Sequence, residues 1–202
     1  MSNLTQLISD NIHLLTQLRE FISGLTSDDY AQDNALLDSG TIGAHNRHIL
    51  EHYDALINAT QPTGTELSGT EPTGTQSTET NACEKLVIDY DARARNTQLE
   101  QHPEMAQSEI ERVCAALTQC QLTEQNTRLK AHDVKFQNND LLQPIAMTTT
   151  IRCSTNVNTD SAAINSTLQR ELVFLHSHTT HHMAIIRILA TALGHNVDKG
   201  FG

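Results

Sequence analysis

The sequence predicts an all-α fold: a four-helix up-down-down-up bundle with a long crossover and a small β-hairpin before the last helix. Three observations carry this expectation. Apolar residues recur at intervals of three and four in several separate stretches, the mark of amphipathic helices. A Thr-, Gly-, Ser- and Pro-rich segment at 60–82 supplies a long connection between the second helix and the third. Two stretches rich in Val, Ile and Thr lie at 127–155, ahead of the final helical pattern. The 202 residues suffice for one domain with its own core, and the chain reads as a single domain over 1–202. Aromatic residues make up 3% and Trp is absent, so that core must be mainly Leu, Ile, Val and Ala.

The first helix is expected over 3–25, where Leu4, Leu7, Ile8, Ile12, Leu15, Leu18 and Ile22 form one stripe. Gly24 suits a left-handed cap at its end. The polar stretch "TSDDYAQDNALLDSG" reads as turns. A second helix runs from Thr41 to about Ala59 through "TIGAHNRHILEHYDALINA". The segment "TQPTGTELSGTEPTGTQSTETN" repeats P-T-G-T and cannot bury enough apolar area to offset its ordering entropy. It is read as an exposed linker. "DYDARARNTQLEQ" has helical character, and Pro103 suits the first position of a further helix through Ile110, Val113 and Leu117 to about Cys120. "TRLKAHDVKF" and "IAMTTTIRCST" flank the turn-like "QNNDLLQP" and suggest the hairpin. The last helix is expected over 160–193, with Leu168, Leu172, Leu175, His182, Ile186, Leu189 and Leu193 on one seam and Gly194 closing it.

The formal charge is -11, from 24 acidic and 13 basic residues, with no Lys/Arg block. Phosphate backbones attract cationic surfaces, so a nucleic-acid partner is not expected. No apolar run approaches the roughly 20 residues that cross a bilayer, so neither is a membrane. The opening "MSNLTQLISDNIHLL" lacks the basic and apolar runs of a signal peptide. Cys83, Cys114, Cys120 and Cys153 are scattered without a C-x-x-C pair, which reads as reduced thiols in a cytoplasmic protein.

The chemistry concentrates in histidine. "FLHSHTTHHMAIIRI" holds His176, His178, His181 and His182 among apolar neighbours. At about 100° per residue, His178 and His182 differ by about 40° around the axis, so both imidazoles can point at one atom. They share a face with Leu175, Ile185 and Leu189. His181 is displaced toward Phe174 and Ile188, and His176 is expected outside. Such a pair fits a divalent transition metal, and a third ligand must come from another helix. The second helix offers His45, His48 and His52. His45 and His52 lie on the seam with Ile42, Ile49 and Leu56, while His48 sits beside Ala44 and Ala55. Periodicity leaves these three open. A hydrogen-bonded or pH-sensitive histidine cluster without metal is the plainer alternative.

"TIGAHNRHILEHYDAL", followed far downstream by "RELVFLHSHTTHHMAIIRILATALG", resembles the DinB-like family of metalloenzymes. The resemblance extends over nearly the whole chain, with 60–82 as an insertion in the crossover. It implies three histidine ligands: His48 in "RHILEH", and His178 and His182 in "HTTHH". His45, His52, His176 and His181 are the residues that could replace one of them. "IDYDARARNTQLE" is similar to a segment of one subgroup, and Tyr90, Asp91, Arg93 and Arg95 become candidates for a substrate-pocket wall. The bland reading of that segment is a helix start with surface ion pairs.

Three neutral imidazoles would leave zinc, nickel or iron its +2 charge and an open position, able to activate water or a thiolate. The resemblance implies a thiol S-transferase or a hydrolase acting on a small-molecule substrate, with a low-molecular-weight thiol as the candidate cosubstrate. A non-enzymatic metal-binding or stress-related interaction protein is the alternative. The chain itself offers no G-x-S-x-G and no H-E-x-x-H, and Glu51 is at most a weak candidate base. Family members commonly pair through helices, which implies a homodimer.

Overall fold

The computed structural model describes residues 3–34, 40–60, 86–90, 96–133, 147–151 and 162–202. The described residues are mostly helical. Helix α1 (Asn3–Ile22) buries Ile8, Leu15, Leu18 and Ile22 of the expected stripe, leaves Leu4, Leu7 and Ile12 half-buried at its edge, and buries Leu14 as well. It does not end on a left-handed Gly24. Instead Gly24 and Leu25 close tight turns onto the Phe21 and Ile22 carbonyls. A short helix α2 (Ser27–Ala31) follows, capped by Thr26, whose hydroxyl oxygen accepts from the Asp29 amide at 3.1 Å.

Helix α3 (Ile42–Thr60) starts where Thr41 Oγ1 accepts from the Ala44 amide at 2.8 Å. Its buried face carries Ile42, Ile49, Leu50, Tyr53, Leu56 and Ile57. Gly43 is a position of forced close approach: a Cβ there would lie 2.0 Å from the Glu100 carbonyl oxygen. Strand β1 (Leu86–Asp89) lies against α3, and a short helix α4 (Gln98–Gln101) packs on its N-terminal half.

Helix α5 (Pro103–Asp133) begins at proline as expected. It runs well past Cys120, however, and takes in the first half of the expected hairpin strand at 127–136. The sequence "QLTEQNTRLKAHD" is dominated by good helix formers, and they outweigh the two β-branched residues, Thr123 and Thr127. The turn "QNNDLLQP" lies outside the described residues. An antiparallel pair does precede the last helix, but its strands are β2 (Met147–Ile151) and β3 (Ala162–Ser166), with Thr149 opposite Ile164. Strand β1 adds to β2 in parallel, giving a three-stranded sheet in the order β1-β2-β3 where a two-stranded hairpin was expected.

Helix α6 (Leu168–Ala192) begins later than residue 160 because 162–166 is strand and Thr167 is the cap, its oxygen accepting from the Arg170 amide at 3.2 Å. Its end is a Schellman turn. Gly194 has φ +87, the His195 amide donates to the Ala190 carbonyl at 2.9 Å, and the Gly194 amide to Thr191 at 3.0 Å. The tail folds back so that Phe201 meets Phe21 at 4.9 Å between ring centres.

Helices α1 and α3 each lie against both α5 and α6. Their shared core is aliphatic, from Leu15 and Leu18 through Ile49 and Leu56 to Ile110, Val113, Leu172, Leu175, Ile186 and Leu189. Burial of such side chains is worth about 1.5–3 kcal/mol each, which sets α3 and α6 rigidly side by side. Among the described residues, no helix is long and apolar enough to cross a membrane. The expected linker at 60–82 falls, after Thr60, outside the described residues.

Candidate metal centre

Two features of the chain decide where the histidines meet. The spacing of three and four on α3 and on α6 puts imidazoles on the facing sides of both helices. The apolar seam on either side then holds those faces together. His48 on α3 and His178 and His182 on α6 converge: one ring nitrogen of each lies within 4.8 Å of those of the other two. Ring centres are 4.9 Å apart for His48 and His178, 4.7 Å for His48 and His182, and 4.5 Å for His178 and His182. Among the described residues no other trio of His, Cys, Asp or Glu meets this condition.

His45, His52 and His181 lie around this trio. His45 Nδ1 lies 3.0 Å from His182 Nδ1. His52 is buried, and its Nδ1–H donates to the His48 carbonyl at 2.9 Å, which leaves Nε2 as the nitrogen with the lone pair. The His52 ring centre is 4.1 Å from that of His178. His181 is exposed, with its ring 5.2 Å from His182, and His176 is half-buried rather than outside.

Burial pushes the His182 pKa down to about 3, with His178, His45, His181 and His52 adding to the effect. Burial, then His181, also lowers His45. A depressed imidazole pKa keeps the ring neutral, the form that offers a lone pair to a metal.

Tyr90 follows β1 directly and reaches the cluster. Its ring stacks on His52 at 5.3 Å and meets Phe174 at 5.2 Å, while Phe174 stacks on His178 at 5.6 Å. Its hydroxyl donates to Glu171 Oε2 at 2.8 Å, and burial and Glu171 raise its pKa, so it stays protonated. Asp91, Arg93 and Arg95 lie outside the described residues. Glu51, the weak candidate base, pairs with Arg47 at 2.6 Å, and Arg47 also holds Glu100. Arg47 thereby ties α3 to α4, and Glu51 is not one of the three converging groups.

Two participants are not among the residues that the sequence singles out. Glu171 is fully buried and braces Tyr90, Ser166 and Arg170. A signal for it exists: residue 171 precedes Leu175 by four, His178 by seven and His182 by eleven, all one helical face. Phe174, by spacing only a neighbour of His181, is the wall beside His178. Deeper in the same seam, Tyr53 donates to Asn11 Oδ1 at 2.7 Å and Thr179 donates to Tyr53 at 3.2 Å. Asn11 donates onward to the Leu172 carbonyl at 3.2 Å. Cys114 and Cys120 are free thiols whose pKa burial raises, so neither is an activated nucleophile.

No family model matches the chain, and no curated protein or solved structure matches it.

Proposed function

We propose that this chain is a divalent-metal-dependent enzyme of the DinB-like family, a thiol S-transferase or a hydrolase acting on a small molecule. The observation that carries the reading is the convergence of His48, His178 and His182 from two helices. Three neutral imidazoles suit zinc, nickel or iron. Such an ion, with an open position, supplies Lewis acidity toward a thiol or water. His48, His178 and His182 would hold it, and Tyr90 and Phe174 would exclude water on one side. Asp91, Arg93 and Arg95, which follow Tyr90 in the chain, are proposed for the substrate-facing wall. The finer architecture in this reading is an up-down-down-up bundle, supported by α1 and α3 each lying against α5 and α6. The family resemblance supports a homodimer with a low-molecular-weight thiol as cosubstrate, and the free thiols of Cys114 and Cys120 among the described residues are compatible with a cytoplasmic setting.

Elemental analysis of tag-free protein tests the site, with about one ion per chain expected. Turnover of low-molecular-weight thiols with electrophilic partners, or of small esters, tests the reaction. Light scattering that gives a mass near 22.3 kDa at all concentrations would remove the dimer.

The crowding by His52, 4.1 Å from His178 between ring centres, favours one rival. If His52 completes a closed four-histidine shell, the protein is a metal-binding or interaction protein without catalysis. Metal-loaded protein inert toward every substrate class would favour that rival.

A further inference from the structure

His45 sits half-buried on α3, one helical turn ahead of His48, and its ring meets that of His182 at 5.2 Å with a 37° tilt. Their Nδ1 atoms are 3.0 Å apart. Two ring nitrogens at that separation share one proton, so one donates and the other accepts. A neutral imidazole carries its N–H on one nitrogen and its lone pair on the other. The partner of one nitrogen therefore decides what the other can offer. His45 itself stays outside the converging group, which contains only His48, His178 and His182. With the His182 Nδ1 engaged by His45, Nε2 is the nitrogen left to face a ligand.

We infer that His45 is a positioning residue for the three-histidine site: its Nδ1 accepts the Nδ1–H of His182 and leaves the lone pair on His182 Nε2. The inference rests on the metal reading above and deepens it. It also explains an imidazole in this place. Metal-ligating histidines often donate their second N–H to a carboxylate, which adds negative charge near the ion. A neutral imidazole orients His182 without that charge, so a bound cation keeps its full Lewis acidity.

The test is cobalt(II) titration of the full chain, followed by visible absorption, for wild type, His45→Ala and His45→Gln. His45→Ala should weaken cobalt binding about 10–100-fold while leaving one ion per chain and an unchanged band pattern. His45→Gln, whose Oε1 can accept the same N–H, should recover most of the affinity. Long-range proton–nitrogen correlation spectra of the metal-free wild type should place the His182 proton on Nδ1 and the His45 proton on Nε2. A His182 proton on Nε2, unchanged affinity in His45→Ala, or no recovery in His45→Gln overturns the inference while leaving the metal site standing. A wild type that binds no cobalt overturns the metal reading and this inference with it. If His45→Ala does not fold, the His45→Gln affinity and the wild-type tautomers decide.

Discussion

Two polar clusters lie side by side along α3 and α6, the first completed by Asn11 of α1. Asn11, Tyr53 and Thr179 are fully buried, and each is an uncharged group matched to a complementary one. One residue along each helix, His52 and His178 belong to a cluster of a different kind, in which five imidazoles face one another. The first cluster is chemically complete: donors meet acceptors, and the core closes around them at a net gain of about 1 kcal/mol per bond. The second concentrates groups of one type that repel when protonated, and three of them aim at a common point. Packing explains the first. In the proposed reading, a cation would relieve the second.

The largest expected effect separates the two clusters through metal. Saturating cobalt or zinc at about 1,000 times its Kd should stabilise the chelator-stripped protein by about 4 kcal/mol. Denaturant unfolding with and without metal measures this. The gain should vanish in His178→Ala and persist in Asn11→Ala. Metal stabilisation of His178→Ala equal to wild type would place the ion elsewhere.

Next in size is Gly43→Ala. A methyl there meets the Glu100 carbonyl and the Tyr30 ring at 2.8 Å, so α4 must move off α3. A loss of about 3 kcal/mol is expected in denaturant melts. A loss under about 0.5 kcal/mol, the scatter of ordinary surface substitutions, would mean that α4 is not held against α3.

Asn11→Ala should cost about 2 kcal/mol, because the Tyr53 hydroxyl loses its buried acceptor. Cobalt stoichiometry should stay at one per chain. Loss of metal in this variant would show that the two clusters are one unit and dissolve the contrast between them.

The smallest effect per step is with pH, on metal-free protein. His182 is held down to about 3 in the fold against an ordinary 6.5, so between these values the unfolded chain binds more protons. Stability contributed by the neutral ring is therefore full above pH 6.5 and is lost as pH falls toward 3, at up to about 1.4 kcal/mol per pH unit. Replacing His182 with Gln should flatten this slope between about pH 6.5 and 5, above most carboxylate titration. An unchanged slope would show that His182 is not the group responsible.

Much of this layout is legible from residue spacing. The stripes of α1, α3 and α6, the proline start of α5 and the glycine end of α6 follow from local rules that each helix obeys alone. The convergence of His178 and His182 is also local, being one turn of one helix. The sheet is less legible, because β1 is four residues long and pairs in parallel with a strand far along the chain, so no turn announces it. The extent of α5 is obscured by Thr and Val near 127–136, which mask the helix formers around them. The meeting of His45 with His182 is beyond reach for another reason. It depends on the axial offset between α3 and α6, which the packed core sets and which no spacing within either helix records.

The most direct test of the account is a crystal structure of metal-loaded protein with the ion located by anomalous scattering at its absorption edge. The account predicts one peak per chain, about 2.0–2.2 Å from a ring nitrogen of each of His48, His178 and His182, with His45 and His52 outside that distance. No peak between α3 and α6, or a shell that replaces His48 with His52, would contradict it.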